Sequence, residues 1–358
     1  MWVNRDFIVR CYVEYIYIMK LAIVNRPGCF SYRWIEYCDN HNISYKIVDP
    51  YASDLLEKVK DCDAFMWHHH QSNYKDCLFA KQLLFSLELG GKIVFPNTGS
   101  GTLFDDKVGE KYLLEAIGAP MVPSYVFYTK QEALNWINKT SFPKVFKLRG
   151  GAGSANVMLA HTPSEAKRFV DRAFGRGFPQ YSVWSNLKER VRKYRRGLTS
   201  LNDVLKGVAR LFVKPEFARM HGNEKGYVYF QDFIPNNKFD IRVVVVGDKA
   251  FGIKRLCREN DFRASGGGSL VYDHKQIDEQ CVRIAFEVSK KIKSQSMAYD
   301  FVFDESGKPL IVEMCYGYAV EAYDKCEGYW DKQMQWHPGE KFDFCGWMVE
   351  EVIKEVSR

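Results

Sequence analysis

The segment from Lys144 to Ala160 reads KVFKLRGGAGSANVMLA. Apolar residues on both sides of the glycines predict two strands, so Gly150, Gly151 and Gly153 occupy a turn between strands. A dinucleotide fingerprint or a Walker loop requires a helix directly after its glycines, so neither motif is indicated. A glycine-rich hairpin can fold over a polyphosphate and present backbone N–H groups to it, or it can be an ordinary turn.

Upstream of this turn, short apolar segments alternate with helical patterns from residue 19 onward. This order predicts a parallel sheet with helices on both faces. Residues 1–18 fit no clear pattern, and we interpret them as an extension ahead of a domain that starts at Met19. The predicted strands are 21–25, 43–49, 64–68 and 92–95, with helices at 30–38 and from Ser53 onward.

Downstream of the turn, helices mix with strands that are joined by short turns, which is typical of an α+β region. The last two predicted strands are connected by Glu305-Ser306-Gly307-Lys308, so we expect them to form a hairpin. The fold class is therefore α/β, with a parallel βαβ domain followed by an α+β domain. The elements predicted downstream of the turn are strands 227–230, 242–246, 250–254, 297–303 and 310–314 and helices 276–291 and 344–356, and a helix at 107–117 is predicted upstream of it.

The composition is that of a globular protein in a reducing compartment. Hydrophobic residues make up 46% and charged residues 27% of the 358 residues, close to average globular usage. No apolar run approaches the ~18–20 residues that span a bilayer, and charged residues interrupt the first 18 residues, so no secretion signal is predicted. Ten cysteines occur without CxxC spacing, which favours free thiols over disulfides or a zinc site. We expect a cytoplasmic protein.

Positive charge is concentrated in residues 175–226. This segment holds twelve basic and four acidic side chains, and the whole chain carries a net charge of +7. Apolar residues repeat at intervals of three and four, which predicts a helical hairpin with basic outer faces. Such a surface is either solvated or binds an anionic partner. An acidic acceptor and the inner surface of an anionic membrane are the two candidates, and nucleic acid is disfavoured because no reader motif is present.

Charged side chains recur in order along the rest of the chain. Lys107 opens a predicted helix, Lys147 lies three residues before the glycines, and Asp300 and Glu313 lie within the apolar strands of the predicted hairpin. A carboxylate in an apolar strand is costly unless it is paired or binds a metal ion. Lysines, arginines and two such carboxylates are what the phosphates of Mg-ATP require. The series also contains Gln231, Asp232, Asp240, Arg242, Lys254, Arg255 and Arg263.

This ordered series resembles the ATP-grasp superfamily, and within it the glutathione synthetase and ribosomal-protein glutamate ligase type. The resemblance covers residues 19–174 and 227–316 and implies a two-lobed ATP-grasp fold after a pre-ATP-grasp domain. The implied division is an extension at 1–18, a pre-ATP-grasp α/β domain at 19–102, a first lobe at 103–229 with the basic helical insertion 175–226, and a second lobe at 230–358 with an aromatic C-terminal cap.

The resemblance implies ATP and one or two magnesium ions as cofactors, with Mn²⁺ as a substitute. Lys107 and Lys147 are then the residues that hold the ATP phosphates, and Asp300 and Glu313 are magnesium ligands. The residues implied to face the transferred phosphoryl group are Arg242, Lys254, Arg255 and Arg263. The residues implied to bind ATP through the glycine turn, the adenine hinge and the following strand are Gly150, Gly151, Gly153, Ser154, Gln231, Asp232, Phe233, Ile234 and Asp240.

The chain departs from the family pattern at two positions. The family commonly has asparagine where this chain has Ser265, two residues after Arg263. It has a magnesium-binding asparagine where this chain has Cys315, two residues after Glu313. Sulfur is a soft ligand and a poor partner for magnesium. Three alternatives are open at Cys315. A water molecule takes the place of the asparagine oxygen, the second magnesium ion is not bound, or the chain is inactive.

Two further groups are candidate substrate contacts. His68, His69 and His70 end a predicted parallel strand, where α/β sheets place ligand crevices. Neighbouring strand residues point to opposite faces and no further ligand is nearby, which disfavours a metal site. The aromatic residues of 316–337 form either a packed cap or the wall of a site for a ring-shaped substrate.

We therefore expect an ATP-dependent ligase that joins a carboxylate to an amine through an acyl phosphate. A sugar or polysaccharide precursor is a candidate substrate by analogy alone. A ligase that extends a peptide or protein C-terminus is the alternative within this class, and a non-catalytic ATP-binding scaffold is the alternative outside it. The expected partners are small-molecule or saccharide carboxylates and amines, and a homodimer is kept open as the oligomeric state.

Overall fold

The computed structural model describes residues 19–150, 156–179, 187, 190–191, 194, 199–212, 219–220, 222–257, 269–339 and 341–358. None of the helices among these residues combines the length and the hydropathy that a bilayer span requires. The sequence predictions that lie outside the described residues concern the extension 1–18 and the positions Gly151, Gly153, Ser154, Arg263 and Ser265.

The N-terminal domain confirms the predicted parallel sheet. Its elements are β1 (Lys20–Ile23), α1 (Ser31–Asn40), β2 (Ser44–Ile47), α2 (Leu55–Lys58), β3 (Ala64–Met66), α3 (Tyr74–Leu89), β4 (Ile93–Phe95) and α4 (Thr98–Gly101). The strand order is β2-β1-β3-β4, with all neighbours parallel. Each face has its own core, since Phe65 and Met66 are adjacent on β3 but pack in different clusters. This follows from the alternation of side chains along a strand.

The first lobe is built on a four-stranded antiparallel sheet. Its elements are α5 (Lys107–Ala116), β5 (Ser124–Phe127), α6 (Lys130–Ile137), β6 (Lys144–Lys147), β7 (Val157–Ala160), α7 (Pro163–Ala173), β8 (Phe178–Pro179), β9 (Asn223–Glu224) and β10 (Val228–Asp232). The main sheet has the order β5-β10-β6-β7, and β8 pairs with β9. The strands that flank the glycine turn pair as predicted, with Lys147 opposite Val157. Because β10 is an inner strand of this sheet, the first lobe extends to Asp232, three residues beyond the expected boundary.

Most of the described residues of the basic insertion between β8 and β9 are helical. Helix α8 (Leu201–Phe212) is the second helix of the predicted pair. Arg190 and Tyr194 are helical positions of the first, and the Arg190 guanidinium donates a hydrogen bond to the backbone oxygen of Asp203 at 3.0 Å. Leu201 and Leu205 of α8 are more than half exposed. The anionic partner of this segment stays a prediction.

The second lobe is an antiparallel sheet covered by two helices. Its elements are β11 (Phe239–Val246), β12 (Lys249–Leu256), β13 (Leu270–Val271), α9 (Glu279–Ile292), β14 (Ser296–Phe303), β15 (Pro309–Cys315), β16 (Gly328–Asp331), β17 (Trp336–Pro338) and α10 (Phe344–Val356). The order is β15-β14-β11-β12-β16-β17, and β13 also pairs with β12. The expected hairpin between the last two predicted strands is present as β14 and β15.

Much of the aromatic segment 316–337 packs as a cap on the second lobe. Tyr316, Tyr318, Tyr323 and Trp330 are all buried. The Tyr316 hydroxyl donates to the backbone oxygen of His69 at 3.0 Å, so the cap also contacts the N-terminal domain. These four rings are core residues and form no open wall for a substrate.

The N-terminal domain and the second lobe share one hydrophobic core. Trp34 and Phe95 of the first belong to the same cluster as Phe251 and Met348 of the second. Gln295, which is 3% exposed, joins the two parts by polar contacts. Its side chain accepts from the Asn97 backbone N–H at 3.0 Å and donates to the Val94 carbonyl at 3.0 Å and to Glu355 at 2.9 Å.

We expect Gln295→Leu to lower the free energy of unfolding by about 2–4 kcal/mol. Leucine has a similar volume but leaves a buried N–H and a buried carbonyl without partners, at about 1–3 kcal/mol for each group. Urea denaturation of wild type and variant measures the difference. Gln333→Leu, at an exposed position, is the matched control, with an expected change within about 0.5 kcal/mol. Equal stability of the two variants would contradict the role of Gln295.

Candidate active site

A row of charged side chains crosses one face of the second-lobe sheet. Arg242 on β11 lies opposite Asp300 on β14, which lies opposite Glu313 on β15. Directly opposite residues of antiparallel strands share a face with Cβ atoms ~5 Å apart. The Arg242 guanidinium donates to both carboxylate oxygens of Asp300, at 2.5 and 2.6 Å. Sheet register alone thus brings three predicted site residues together.

Arg255 extends this row through a second carboxylate. Its guanidinium donates to both oxygens of Asp240 at 2.6 Å and to Asp300 at 2.7 Å. Burial by itself would raise the pKa of Asp300, but the guanidiniums of Arg242 and Arg255 outweigh it and hold this pKa below its usual value. The sequence led us to expect that Asp240 contacts ATP. In the structure its carboxylate instead accepts both hydrogen bonds from Arg255 and so orients that guanidinium.

Lys254 is not part of this cluster, contrary to its expected role at the phosphoryl group. It adjoins Arg255 on β12, and adjacent strand residues point to opposite faces of a sheet. Its ammonium group lies 4.0 Å from the centroid of the Phe239 ring and donates to Gln276 at 3.4 Å.

The two predicted phosphate lysines are both buried beside Glu313. The Lys107 ammonium, at the start of α5, lies 3.2 Å from a Glu313 oxygen. Burial opposes its charge, but Glu313 and Glu110 outweigh burial and raise the pKa of Lys107. Lys147, at the end of β6, is 6% exposed and forms no salt bridge with a described residue. Burial lowers its pKa to about 8, against the opposing effect of the Glu313 carboxylate.

Glu110 is a site residue that sequence reasoning missed. It lies one turn after Lys107 on α5, is 5% exposed, and accepts a hydrogen bond from the Met314 backbone N–H at 3.2 Å. Burial and the neighbouring Glu313 carboxylate raise the pKa of Glu110. The sequence did contain a signal for Glu110, because it lies three residues after Lys107 and residues three apart on a helix share a face.

Cys315 lies on the same face of β15 as Glu313, because the two are separated by one residue. Its thiol donates to the backbone oxygen of Gly317 at 2.9 Å. Burial raises the pKa of this thiol, which keeps it protonated at neutral pH. A neutral thiol satisfied by a carbonyl is a poor magnesium ligand.

The base of the glycine turn is fixed to α5 and to β9. The Lys107 backbone N–H donates to the Arg149 carbonyl at 3.0 Å, and the Arg149 guanidinium forms a salt bridge of 2.6 Å with Asp106. Glu224 accepts from the backbone N–H groups of Arg149 and Gly150, at 3.2 and 3.4 Å. Gly150, the described glycine of the turn, therefore lies next to the start of the Lys107 helix.

The predicted adenine hinge has two parts. Gln231 and Asp232 belong to strand β10, whereas Phe233 and Ile234 follow its end. Gln231 pairs with strands on both sides, and its buried side chain donates to the Ser124 hydroxyl at 3.0 Å. Asp232 accepts from the buried Lys144 ammonium at 2.5 Å. Phe233 and Ile234 follow the strand and line a cavity of about 510 Å³ between residues 141–144 and 304–306.

The three histidines do not form a joint site. The His68 ring stacks on Phe30 at 3.9 Å and accepts from the Phe30 backbone N–H at 3.2 Å. Burial lowers the pKa of both His68 and His69 to about 3, so both rings are neutral. The His70 ring lies 2.7 Å from the Ser72 hydroxyl. His68 is therefore a core residue, and His69 is the one that reaches a cavity.

This cavity, of about 830 Å³, adjoins the glycine turn. All of its lining residues come from the N-terminal domain and the first lobe. Its walls combine aromatic rings with carboxylate, amide and hydroxyl groups. They include His69, Gln82, Asp105, Tyr112, Gly150 and Tyr227.

The donor set fits a magnesium ion. A carboxylate offers about four lone-pair positions, and the two guanidiniums occupy three of those on Asp300, so one position on Oδ1 remains. Glu313, which is partly buried, adds carboxylate oxygens near Asp300, and the buried Glu110 lies near Glu313. Among the described residues, the one group of three ligands with all atoms within 4.8 Å is Asp273, His274 and Glu327. Magnesium, however, is usually bound through one or two carboxylates together with phosphate oxygens and water.

A parallel N-terminal domain, two lobes built on antiparallel sheets, and lysines and carboxylates that converge between these lobes define the ATP-grasp class. Residues 218–329 match the RimK-like ATP-grasp domain. This match confirms the resemblance to ATP-grasp ligases that the sequence showed. Comparison with the sequences of curated proteins gives no match.

Solved structures with the same fold cover almost the whole chain. The ATP-grasp RimK domain protein from Sphaerobacter thermophilus DSM 20745 has 15% identity and a TM-score of 0.53, covering 93% of this chain and 99% of its own. D-alanine–D-alanine ligase from Bacillus anthracis, complexed with ATP, has 15% identity and a TM-score of 0.52, with coverage of 95% and 99%. The ATP-grasp ligase PsnB, complexed with a minimal precursor, Mg and ADP, has 11% identity and a TM-score of 0.53, with coverage of 95% and 98%. At these identities the likeness establishes the fold.

The expected contact between Lys147 and a nucleotide phosphate predicts that nucleotide affinity depends on pH. A phosphate next to Lys147 favours the charged ammonium, so binding raises its pKa above the value of about 8 in the free protein. The affinity for ADP is therefore expected to be constant below pH 8 and to fall above it, by up to ~10-fold per pH unit. Calorimetric titrations with ADP and EDTA between pH 7 and 9.5 measure this.

Lys147→Arg is the control, because a guanidinium stays charged over this range. Its ADP affinity is expected to change much less with pH. Wild-type affinity that is equal at pH 7 and pH 9.5 would show that Lys147 does not contact the phosphates.

Proposed function

We propose that this protein is an ATP-dependent carboxylate–amine ligase that releases ADP. The observation that carries the proposal is the buried Lys147, which has no salt bridge among the described residues and ends the strand that leads into the glycine turn. Burying an ammonium group that forms no direct salt bridge is costly. An ATP phosphate supplies the missing negative charge, and the ATP-grasp fold is the setting in which such a lysine has that role.

The proposed reaction has two steps. An oxygen of the substrate carboxylate attacks the γ-phosphorus of ATP, the bond to the β–γ bridging oxygen breaks, and ADP leaves. The amine nitrogen then attacks the carbonyl carbon of the acyl phosphate. Phosphate leaves, and the nitrogen loses one proton to give the amide. Both steps move negative charge onto phosphate oxygens, so positioned cations are the main source of catalysis.

The residues of the chain have distinct roles in this scheme. Lys107 and Lys147 bind phosphate oxygens from the first-lobe side, and Arg242 and Arg255 present positive charge from the second lobe. Asp240 holds Arg255 in a bidentate pair and fixes the direction of its guanidinium. Magnesium bound by Glu313 and Asp300 would neutralise charge on the phosphate oxygens.

We assign the cavity of about 830 Å³ to a substrate other than ATP. It adjoins Gly150, and its aromatic, amide and carboxylate walls suit a polar organic molecule with hydrogen-bonding groups. PsnB, which has the same fold, is also described in complex with the precursor peptide PsnA2 and AMPPNP, and this favours a peptide substrate. A sugar uronate or amino sugar is the second candidate, and its support is the analogy alone. Mass spectrometry of products from both substrate classes separates them.

Glu313→Gln is expected to reduce ADP release by at least ~100-fold without unfolding the protein. The substitution keeps the shape of the side chain but removes the charge that pairs with Lys107 and binds the cation. ADP release is measured over a panel of carboxylic acids and amines. Glu279→Gln, at an exposed position on α9, is the control and should match wild type. Nucleotide binding without ADP release for any substrate pair would support the scaffold alternative instead.

A bulky side chain in the cavity of about 830 Å³ is expected to weaken binding of the second substrate without changing the affinity for ATP. Gln82 is an exposed residue of α3 that lines the cavity, so Gln82→Trp should raise the KM of the second substrate about 10-fold or more. ATP affinity should stay within about twofold of wild type. Ser86→Trp lies one turn further along the same helix, outside the cavity wall, and is the matched control. Unchanged KM in Gln82→Trp would exclude this cavity as the substrate site.

A further inference from the structure

The strand that carries Glu313 offers no side-chain oxygen two residues further along its face. The side chain two residues after Glu313 is the Cys315 thiol, which donates to the Gly317 carbonyl at 2.9 Å. A hard cation at this site therefore needs another oxygen donor, from either water or a different part of the chain.

Helix α5 places a carboxylate at the required point. The Glu110 side chain accepts from the Met314 backbone N–H at 3.2 Å, so its carboxylate lies against the residue between Glu313 and Cys315. It is 5% exposed and interacts electrostatically with Glu313, Lys107 and Lys147. These are the groups that the proposed function assigns to the cation and the phosphates.

The charge balance of the site changes when a nucleotide binds. Lys107 is the cation in contact with Glu313, at 3.2 Å, and Lys107 and Lys147 are the two lysines buried beside the carboxylates. Phosphates that draw these ammonium groups toward themselves leave the buried Glu110 and the partly buried Glu313 as neighbouring carboxylates. Such a pair is strongly unfavourable without a cation between its members.

We propose that Glu110 is a metal ligand of this site and supplies the oxygen that Cys315 does not. The inference rests on the proposed function, because it concerns the cation that accompanies ATP. It assigns the ligand set to two elements, β15 with Glu313 and α5 with Glu110, so that the helix that begins at the phosphate-binding Lys107 also holds the metal ion.

The competing explanation is a structural one. Strand β15 is at the edge of its sheet, and Glu110 could serve only to satisfy the buried backbone N–H of Met314 on the side of the strand that faces away from β14. Glutamine can accept the same hydrogen bond but carries no charge. The pair of variants Glu110→Gln and Glu110→Ala therefore separates the two roles.

The test measures Mn²⁺ affinity in the presence of a saturating non-hydrolysable ATP analogue, by electron paramagnetic resonance of free Mn²⁺. Glu110→Gln is expected to weaken Mn²⁺ binding at least 10-fold and to leave the unfolding temperature near that of wild type. Glu110→Ala is expected to lower both. Glu115→Gln, on the exposed side of the same helix, should match wild type in both measurements.

A second substitution tests whether Glu110 replaces the oxygen that is absent at position 315. Cys315→Asn places an amide oxygen two residues after Glu313, and in the Glu110→Gln background it should recover most of the lost Mn²⁺ affinity. Mn²⁺ affinity of Glu110→Gln within twofold of wild type would overturn the proposal and leave Glu110 as an edge cap. The proposed ligase function would survive that result, whereas wild-type protein that binds neither nucleotide nor Mn²⁺ would overturn both.

Discussion

The buried ion network of Arg242, Asp300 and Arg255 is the constraint on which the second lobe depends. Asp300 is 3% exposed, and its carboxylate is acceptable there because two guanidiniums donate three hydrogen bonds to it. Removing one member of such a network leaves a buried charge without a partner. The free-energy cost of that unpaired charge is larger than the net stabilisation that the intact network provides. The strands that carry these residues therefore have a fixed register, and that register also sets the position of Glu313.

The packing of the domains explains where the site lies. The N-terminal domain and the second lobe share one core, to which Trp34 and Phe251 both belong. The first lobe has a separate core around Phe146 and Phe230. Lys147 belongs to the lobe with the separate core, whereas Asp300 and Glu313 belong to the shared unit. A ligand that contacts the lysine and the carboxylates together must bridge these two bodies, as the phosphates of a nucleotide can.

The expected departure of this chain from the family pattern at Cys315 is local. At Cys315 the strand keeps its register and its neighbour Glu313, and only the chemistry of one side chain changes. The nearby Glu110 carboxylate lies on a helix, about 200 residues earlier in the chain, and it reaches the strand through one backbone hydrogen bond. The thiol on the strand is a soft donor, whereas the carboxylate on the helix is the hard, anionic donor that the proposed magnesium ion requires.

The sequence by itself determined the parallel sheet, the β14–β15 hairpin and the order of the charged residues, because alternation patterns, turn residues and spacing are local properties. It did not indicate α3, since apolar residues occur around this helix and Leu78, Phe85 and Leu89 are more than half exposed. The sequence also did not predict strands β16 and β17, because their aromatic side chains pack against other elements of the cap.

Tertiary structure alone decided which charged residues meet. Lys254 and Arg255 are adjacent in the chain but lie on opposite faces of β12, whereas Glu110 and Met314 are far apart in sequence and joined by a hydrogen bond. Distances between elements depend on how sheets and helices pack, and no local pattern records that packing.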